Sequence, residues 1–257
     1  MLVAASLAAA ATGPRAALAY HPLAYPGSVW AKASRNFDGL EGTGTQGWVR
    51  QGVRWARLER VDFDTYAGWS WRVRTQNRTY YDVHGPFVGA AFARGPFTAG
   101  AEFARSRYPE LPDTKSDTAV FGSWYWSGDA LRRMGRTGVE GRLPLALPLT
   151  TWGRVDTHPG GLEGTGTMGW VRLGADWFSL RGWTFDTYAM YNWRLRSRNR
   201  TYYDAVGPSV GVAVQGRGLE LGLEYLWQRF PQLGTQSRTL NLTLSLFRGW
   251  DLKRAEK

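Results

Sequence analysis

Arg50, Arg72 and Arg74 return later in the chain as Arg172, Arg194 and Arg196, and Asp64 and Glu102 return as Asp186 and Glu224. Arg54 breaks the correspondence, because its counterpart is Asp176. Guanidinium groups grip carboxylates and phosphates through paired hydrogen bonds, so a ladder of them can concentrate anions and select among them. The same groups can equally neutralise neighbouring carboxylates and brace a wall. Both readings stay open at the level of sequence. A second binding chemistry lies in "NRTYYD", which supplies Tyr80 and Tyr81 and, in its copy, Tyr202 and Tyr203. On external loops these rings could stack on sugars or cap hairpins at a membrane surface.

Catalysis has less to work with. The histidines are His21, His84 and His158; His84 corresponds to Val206 and His158 to Asn36, so neither belongs to the repeated set. No serine motif accompanies them. Asp62 and Asp64 share a face, but the adjacent arginines favour salt bridges over acid–base work. No catalytic residue and no cofactor is expected. With no cysteine, disulfides and cysteine-based metal sites are excluded, and no metal centre is expected. The "GTGT" segments lack the lysine and the strand-to-helix setting of a phosphate cradle, and read as flexible turns.

The elements that must position these side chains are strands. In "FDTYAGWSWRVR", Phe63–Arg74, the residues Phe63, Thr65, Ala67, Trp69, Trp71 and Val73 alternate with Asp64, Tyr66, Gly68, Ser70, Arg72 and Arg74. Period-two alternation is the signature of a ribbon with two unlike faces. "FDTYAMYNWRLR" repeats it at Phe185–Arg196. The repetition is general: "GLEGTGTQGWVR" at Gly39–Arg50 returns as "GLEGTGTMGWVR" at Gly161–Arg172, an offset of 122 residues from Gly39 to Gly161. From Gly39 to Leu111 about half the positions are identical without a gap, and a single deletion near Asp113 would align "TKS" with "TQS". So long a unit suggests two fused halves, not a solenoid.

Each half reads as six strands, the first near Ser28–Phe37, Gly47–Leu58, Asp62–Arg74, Pro86–Arg94, Phe97–Ser106 and Ser116–Ser127. Short connections ("ERV", "GP") alternate with longer ones ("DGLEGTGTQ", "TQNRTYYDVHG", "RYPELPDTK"). Strand lengths near those that cross a bilayer at a tilt, with turns short on one side and long on the other, predict an all-β, up-and-down antiparallel transmembrane barrel of about twelve strands. The expected boundaries are a signal peptide over 1–19 and a barrel over 20–257. The barrel divides into repeat one at 28–127, a linker at 128–147, repeat two at 148–248 and a tail at 249–257. The apolar run Leu2–Ala11, Pro14 and "Ala17-Leu18-Ala19" before Tyr20 carry the signal-peptide reading.

Facing follows from energy. An arginine on the lipid side costs about 2–4 kcal/mol at the midplane, so the phase that turns Trp69, Trp71, Trp193, Tyr191, Leu219, Leu221 and Leu223 to lipid is favoured. Trp48, Trp55, Trp124, Trp126, Trp170 and Trp177 then read as girdle residues near strand ends. Lys32 and Arg57 fit this phase poorly. The architecture resembles Gram-negative outer-membrane β-barrel proteins. Twelve strands with an arginine-lined interior are similar to porins for acidic oligosaccharides. That resemblance implies a narrow channel for diffusion or export of anionic solutes or oligo- and polysaccharides, with outer-membrane lipid as the surrounding partner and Phe247 as the terminal aromatic. Outer-membrane phospholipases share the strand number and imply the hydrolase alternative. Non-conducting receptor or structural barrels and a soluble tandem barrel are the others. The net charge of +11 is spread along alternating strands with no recognition module, so nucleic acid is not an expected partner.

Overall fold

The computed structural model describes residues 22–79, 81–111, 114–129, 145–201 and 203–252. Repeat one forms β1 (Pro26–Asn36), β2 (Thr43–Leu58), β3 (Val61–Arg74), β4 (Val83–Arg94), β5 (Phe97–Arg107) and β6 (Thr114–Asp129). Repeat two forms β7 (Pro148–Thr157), β8 (Thr165–Leu180), β9 (Trp183–Arg196), β10 (Ala205–Gly216), β11 (Leu219–Phe230) and β12 (Thr235–Asp251). Each strand pairs antiparallel with its chain neighbours, and β1 closes on β12 from Pro26↔Asp251 to Asn36↔Asn241. The result is the expected closed twelve-stranded, up-and-down barrel. β6 and β12 run slightly past the expected repeat limits, so the first three residues of the supposed tail, 249–251, are strand. The signal-peptide segment and most of the linker lie outside the described residues.

The turns follow their residues. At the short-turn end, Arg181-Gly182 and Arg217-Gly218 both have positive φ at each position, the backbone hand of a two-residue hairpin that suits twisted strands. Repeat two also copies the irregularities of repeat one. β2 shifts register between Arg54 and Ala56, and β8 does so between Asp176 and Phe178. These bulges explain the misfit of Arg57: the extra residue restores it to the face of Asp62, with which it makes a 2.6 Å ion pair. Lys32 likewise shares the inward parity of buried Ser28 and Asn36. The deletion expected near Asp113 is not needed: Arg107 pairs with Thr114 and Arg229 with Gln236, which keeps the same offset through β12.

The barrel is inside out relative to a water-soluble one. On β12, Leu240, Leu242 and Leu244 are exposed while Thr239, Asn241 and Thr243 between them are buried. On β11, Leu219, Leu221 and Leu223 are exposed and Glu224 is buried. Trp69, Val88, Phe103, Val120, Val171 and Tyr191 continue the apolar outer surface. Leaving such side chains in water would forgo about 1.5–3 kcal/mol each, whereas hydrocarbon removes that cost. Closure gives each backbone ladder a partner and leaves no strand edge, as a bilayer core requires. The chain is therefore a membrane-spanning barrel of the bacterial outer membrane. Two girdle expectations are corrected: Trp48 shares the inward face of Arg50, whose guanidinium lies 5.2 Å from its ring, and Trp170 shares the inward parity of Arg172. Trp55 and Trp177 sit at the bulges instead and donate to outward Thr65 and Thr187.

Leu242 lies near the middle of β12, so Leu242→Arg should destabilise the barrel by about 2–4 kcal/mol in reversible denaturant unfolding from phospholipid. A soluble barrel with the opposite facing would predict no comparable loss.

Candidate functional site

Apart from the β6–β7 connection, which lies at the short-turn end, the longer connections gather at one end of the wall, and there the two repeats meet. Arg74, the last residue of β3, is locked by its own backbone surroundings: its N–H donates to Asp82 Oδ1 at 2.8 Å and its guanidinium to the carbonyl of Asn77. Arg196 ends β9 the same way, on Asp204 and Asn199. Asn77 and Asn199 have positive φ, which asparagine tolerates better than most residues, and each reaches back to hold the neighbouring glycine-rich loop, at the Leu40 and Leu162 carbonyls. Asp82 and Asp204 are wholly buried and also accept from Arg78 and Arg200, four residues upstream.

The glycine-rich loops carry the carboxylates that tie the halves together. Glu41 Oε1 accepts from Arg74 at 2.9 Å and from Arg194 of the other repeat at 2.6 Å. Glu163 Oε1 reciprocates, with Arg72 at 2.9 Å and Arg196 at 3.4 Å. Arg72 lies on β3 and Glu163 beyond β7, so the pair crosses the mouth of the barrel instead of running along its wall. Tyr81 and Tyr203 approach to 6.4 Å between ring centroids at the centre of this arrangement. Arg74 stands 3.8 Å from the Tyr81 centroid and Arg196 the same distance from Tyr203, while Arg72 and Arg194 each face both rings. Burial pushes the Glu41 carboxyl up, but Arg194 and then Arg74 outweigh it and hold it below the usual carboxylate range. Burial, opposed by the stronger combined pull of Arg72 and Arg196, leaves Glu163 in the same condition.

Four of the expected ladder arginines, Arg72, Arg74, Arg194 and Arg196, thus converge on one latch. The others are distributed along the interior. Glu102 takes Arg154 at 2.7 Å and the Tyr66 hydroxyl at 2.9 Å, with Arg154 lying over Phe121. Arg50 donates to Ser28. Arg54 pairs with Asp64 and Asp62 near the short-turn end, and Arg172 with Asp186 and Glu220. Glu224 instead accepts from neutral donors, Asn241 at 2.7 Å and Ser209 at 3.2 Å. Tyr81 and Tyr203 are not exposed platforms as the sugar-stacking reading requires: both are buried with guanidinium groups on their faces. Tyr80 and Tyr202 lie outside the described residues.

Sequence reasoning missed Glu41 and Glu163. The available signal was a carboxylate kept in both copies of "GLEGTGT", a setting where turn geometry alone has no use for it. Nor is that segment a loose turn: Gly42 and Gly164 take the left-handed backbone that lets the loop fold over the mouth, and Thr75 and Ser197 hydroxyls accept from Thr43 and Thr165. Among the described residues, His84 and His158 do not form a nucleophile-activating pair. His158 has Nδ1 on Asp117 and Nε2 3.5 Å from Asp156, and His84 stacks on Trp69. His21 lies outside the described residues.

No protein-family model and no curated protein matches the chain. Among solved structures, LpxR from Salmonella typhimurium is similar over 86% of this chain and 100% of its own, at 10% identity and a TM-score of 0.42. An outer membrane channel from Pseudomonas putida F1 covers 93% of this chain and 99% of its own, at 8% identity and a TM-score of 0.41. KdgM porin covers 85% of this chain and 98% of its own, at 12% identity and a TM-score of 0.33.

His158 gives the mouth a pH signature. Burial lowers its pKa, but Asp156 and the other surrounding carboxylates raise it further, to about 9 from 6.5. A raised folded-state value means that its stabilisation is complete below pH 6.5 and is lost as pH rises through about 9. Denaturant resistance should therefore fall across that window, and His158→Asn, which installs the repeat-one residue, should flatten the profile. A wild-type profile already flat there would contradict the assignment.

Proposed function

We propose that the chain is a narrow channel for small anionic solutes, acidic saccharides included, with a latch of paired charges at its external mouth. The observation that carries this reading is the ratio at the latch: four buried or half-buried arginines share two carboxylates, Glu41 and Glu163. The arginines are the fixed partners, since Arg74 and Arg196 are anchored to strand and turn backbone, and Arg72 and Arg194 donate to the Tyr81 and Tyr203 carbonyls. The glutamates sit on glycine-containing loops and are the partners that can be exchanged. An arriving carboxylate, sulfate or phosphate replaces Glu41 on Arg194, or Glu163 on Arg72, in a like-for-like exchange of charge-assisted hydrogen bonds. It then meets Arg154, Arg50 and Arg172 deeper in the barrel. Paired interior charges alone would also suit a non-conducting barrel; the exchangeable partner at the mouth favours passage.

Planar-bilayer recording of the refolded protein tests this. Small, anion-preferring conductance steps are expected, larger or more frequent in Glu41→Gln/Glu163→Gln and less anion-selective in Arg72→Ala/Arg194→Ala. Because both glutamates are held below their usual range, acid alone should open the latch only as pH falls through their lowered values, below 4.5. Electrical silence in the wild type and in the double glutamine variant would overturn the channel reading.

A further inference from the structure

The two repeats diverge chemically at one interior position near the short-turn end. In repeat one, Arg54 stands opposite Asp64 across the β2–β3 ladder and grips it with two hydrogen bonds, 2.8 and 3.0 Å long, while its third nitrogen reaches Asp62 at 2.7 Å. In repeat two the corresponding pair on β8 and β9 is Asp176 opposite Asp186. A cation has been replaced by a second carboxylate. Opposed like charges in a ladder repel, and burial strengthens that repulsion.

Among the described residues, the surrounding groups do not compensate. Arg172 donates to Asp186 Oδ2 at 2.7 Å and shares itself with Glu220 at 2.6 Å. One guanidinium thus faces three carboxylates, an excess of two negative charges among these four groups. The Asp186 side chain is 1% exposed, and its Oδ1 is buried with no hydrogen-bond partner; Oδ1 of Asp176 is in the same condition. Asp176 is held rigidly, since its backbone N–H donates to the Ala146 carbonyl and its own carbonyl accepts from Leu145. Two unsatisfied oxygens therefore sit on adjacent strands, fixed by the sheet, where the equivalent place in repeat one contains a guanidinium.

We propose that Asp176 and Asp186 hold a hydrated divalent cation, with Mg²⁺ the best fit, in the place that the Arg54 guanidinium fills in repeat one. The sign of the charge is right: two positive charges offset the negative excess of Asp176, Asp186 and Glu220 over Arg172, to which Asp129 adds a further carboxylate acting on Asp176. The sparse ligand set also suits it. Among the described residues no group of three or more His, Cys, Asp or Glu side chains is arranged to enclose a metal ion. A two-carboxylate site leaves the remaining coordination to water, which is how Mg²⁺ is commonly held, whereas Ca²⁺ takes more protein oxygens. The cation would bridge β8 to β9 and relieve the only carboxylate-on-carboxylate step in these two hairpins' shared register.

The test uses the full chain, refolded in detergent, stripped with EDTA and titrated calorimetrically with MgCl₂ and, separately, CaCl₂. Wild type is expected to bind one Mg²⁺ per barrel saturably, more tightly than Ca²⁺. Asp176→Arg, which rebuilds the repeat-one pair, should stay folded and lose the binding, and Asp176→Asn should lose it without adding a positive charge. Asp64→Asn should bind as wild type does. Absence of saturable binding by wild type, the result expected if a proton bridges the two carboxyls, would overturn the proposal. So would binding that survives in either Asp176 variant. Neither result bears on conductance, so the channel reading stands or falls separately.

Discussion

The structure depends on keeping hydrocarbon and ionised groups on opposite sides of one closed sheet. A bilayer core offers backbone groups no water, so the sheet must close, and closure fixes an inside and an outside for each strand. The period of two then does the sorting. Leu242 and Leu244 can meet lipid only because Asn241 and Thr243 look inward, and a slip of one residue would exchange them. Charges that the same constraint forces into the interior have to find each other there. The paired arginines, the buried Asp82 and Asp204, and the latch across the mouth are consequences of that confinement.

The latch also explains why the two repeats need each other. Within one repeat, Arg74 and Asp82 complete a strand end and its turn by local contacts. Among the described residues, Arg72 and Arg194 have their carboxylate partners only on the opposite repeat. Each repeat supplies a glutamate that the other uses, so the mouth is satisfied only when both halves of the wall are present. Breaking one partner of such a pair leaves a charge without compensation, so under the proposed channel reading exchanging one anion for another costs less than separating the pair.

Much of this was legible from residue order. Alternation in Phe63–Arg74 and its copy fixes strand, face and the apolar outside; loop lengths give the up-and-down order. What escaped sequence reading depends on local geometry or on distance. A bulge is invisible in composition, so Arg57 looked misplaced until the register shift beside Trp55 returned it to the inner face. Inward Trp48 and Trp170 escaped because an indole packs against a guanidinium as readily as it sits at a membrane interface. The pairing of Glu41 with Arg194 joins residues 153 positions apart, and alternation carries no information about which loops meet across a barrel. The copies themselves held the clue in two forms: a carboxylate retained at Glu41 and Glu163, and an arginine exchanged for aspartate at Arg54 and Asp176.

The absence of cysteine makes one measurement especially clean. Single cysteines placed in turn at 240 through 245 of β12 can carry a nitroxide in lipid bilayers, and collision with dissolved oxygen then reports contact with acyl chains. A lipid-facing leucine row gives high oxygen accessibility at the positions of Leu240, Leu242 and Leu244 and low accessibility at those of Asn241, Thr243 and Ser245. The reverse alternation, or none, would contradict it.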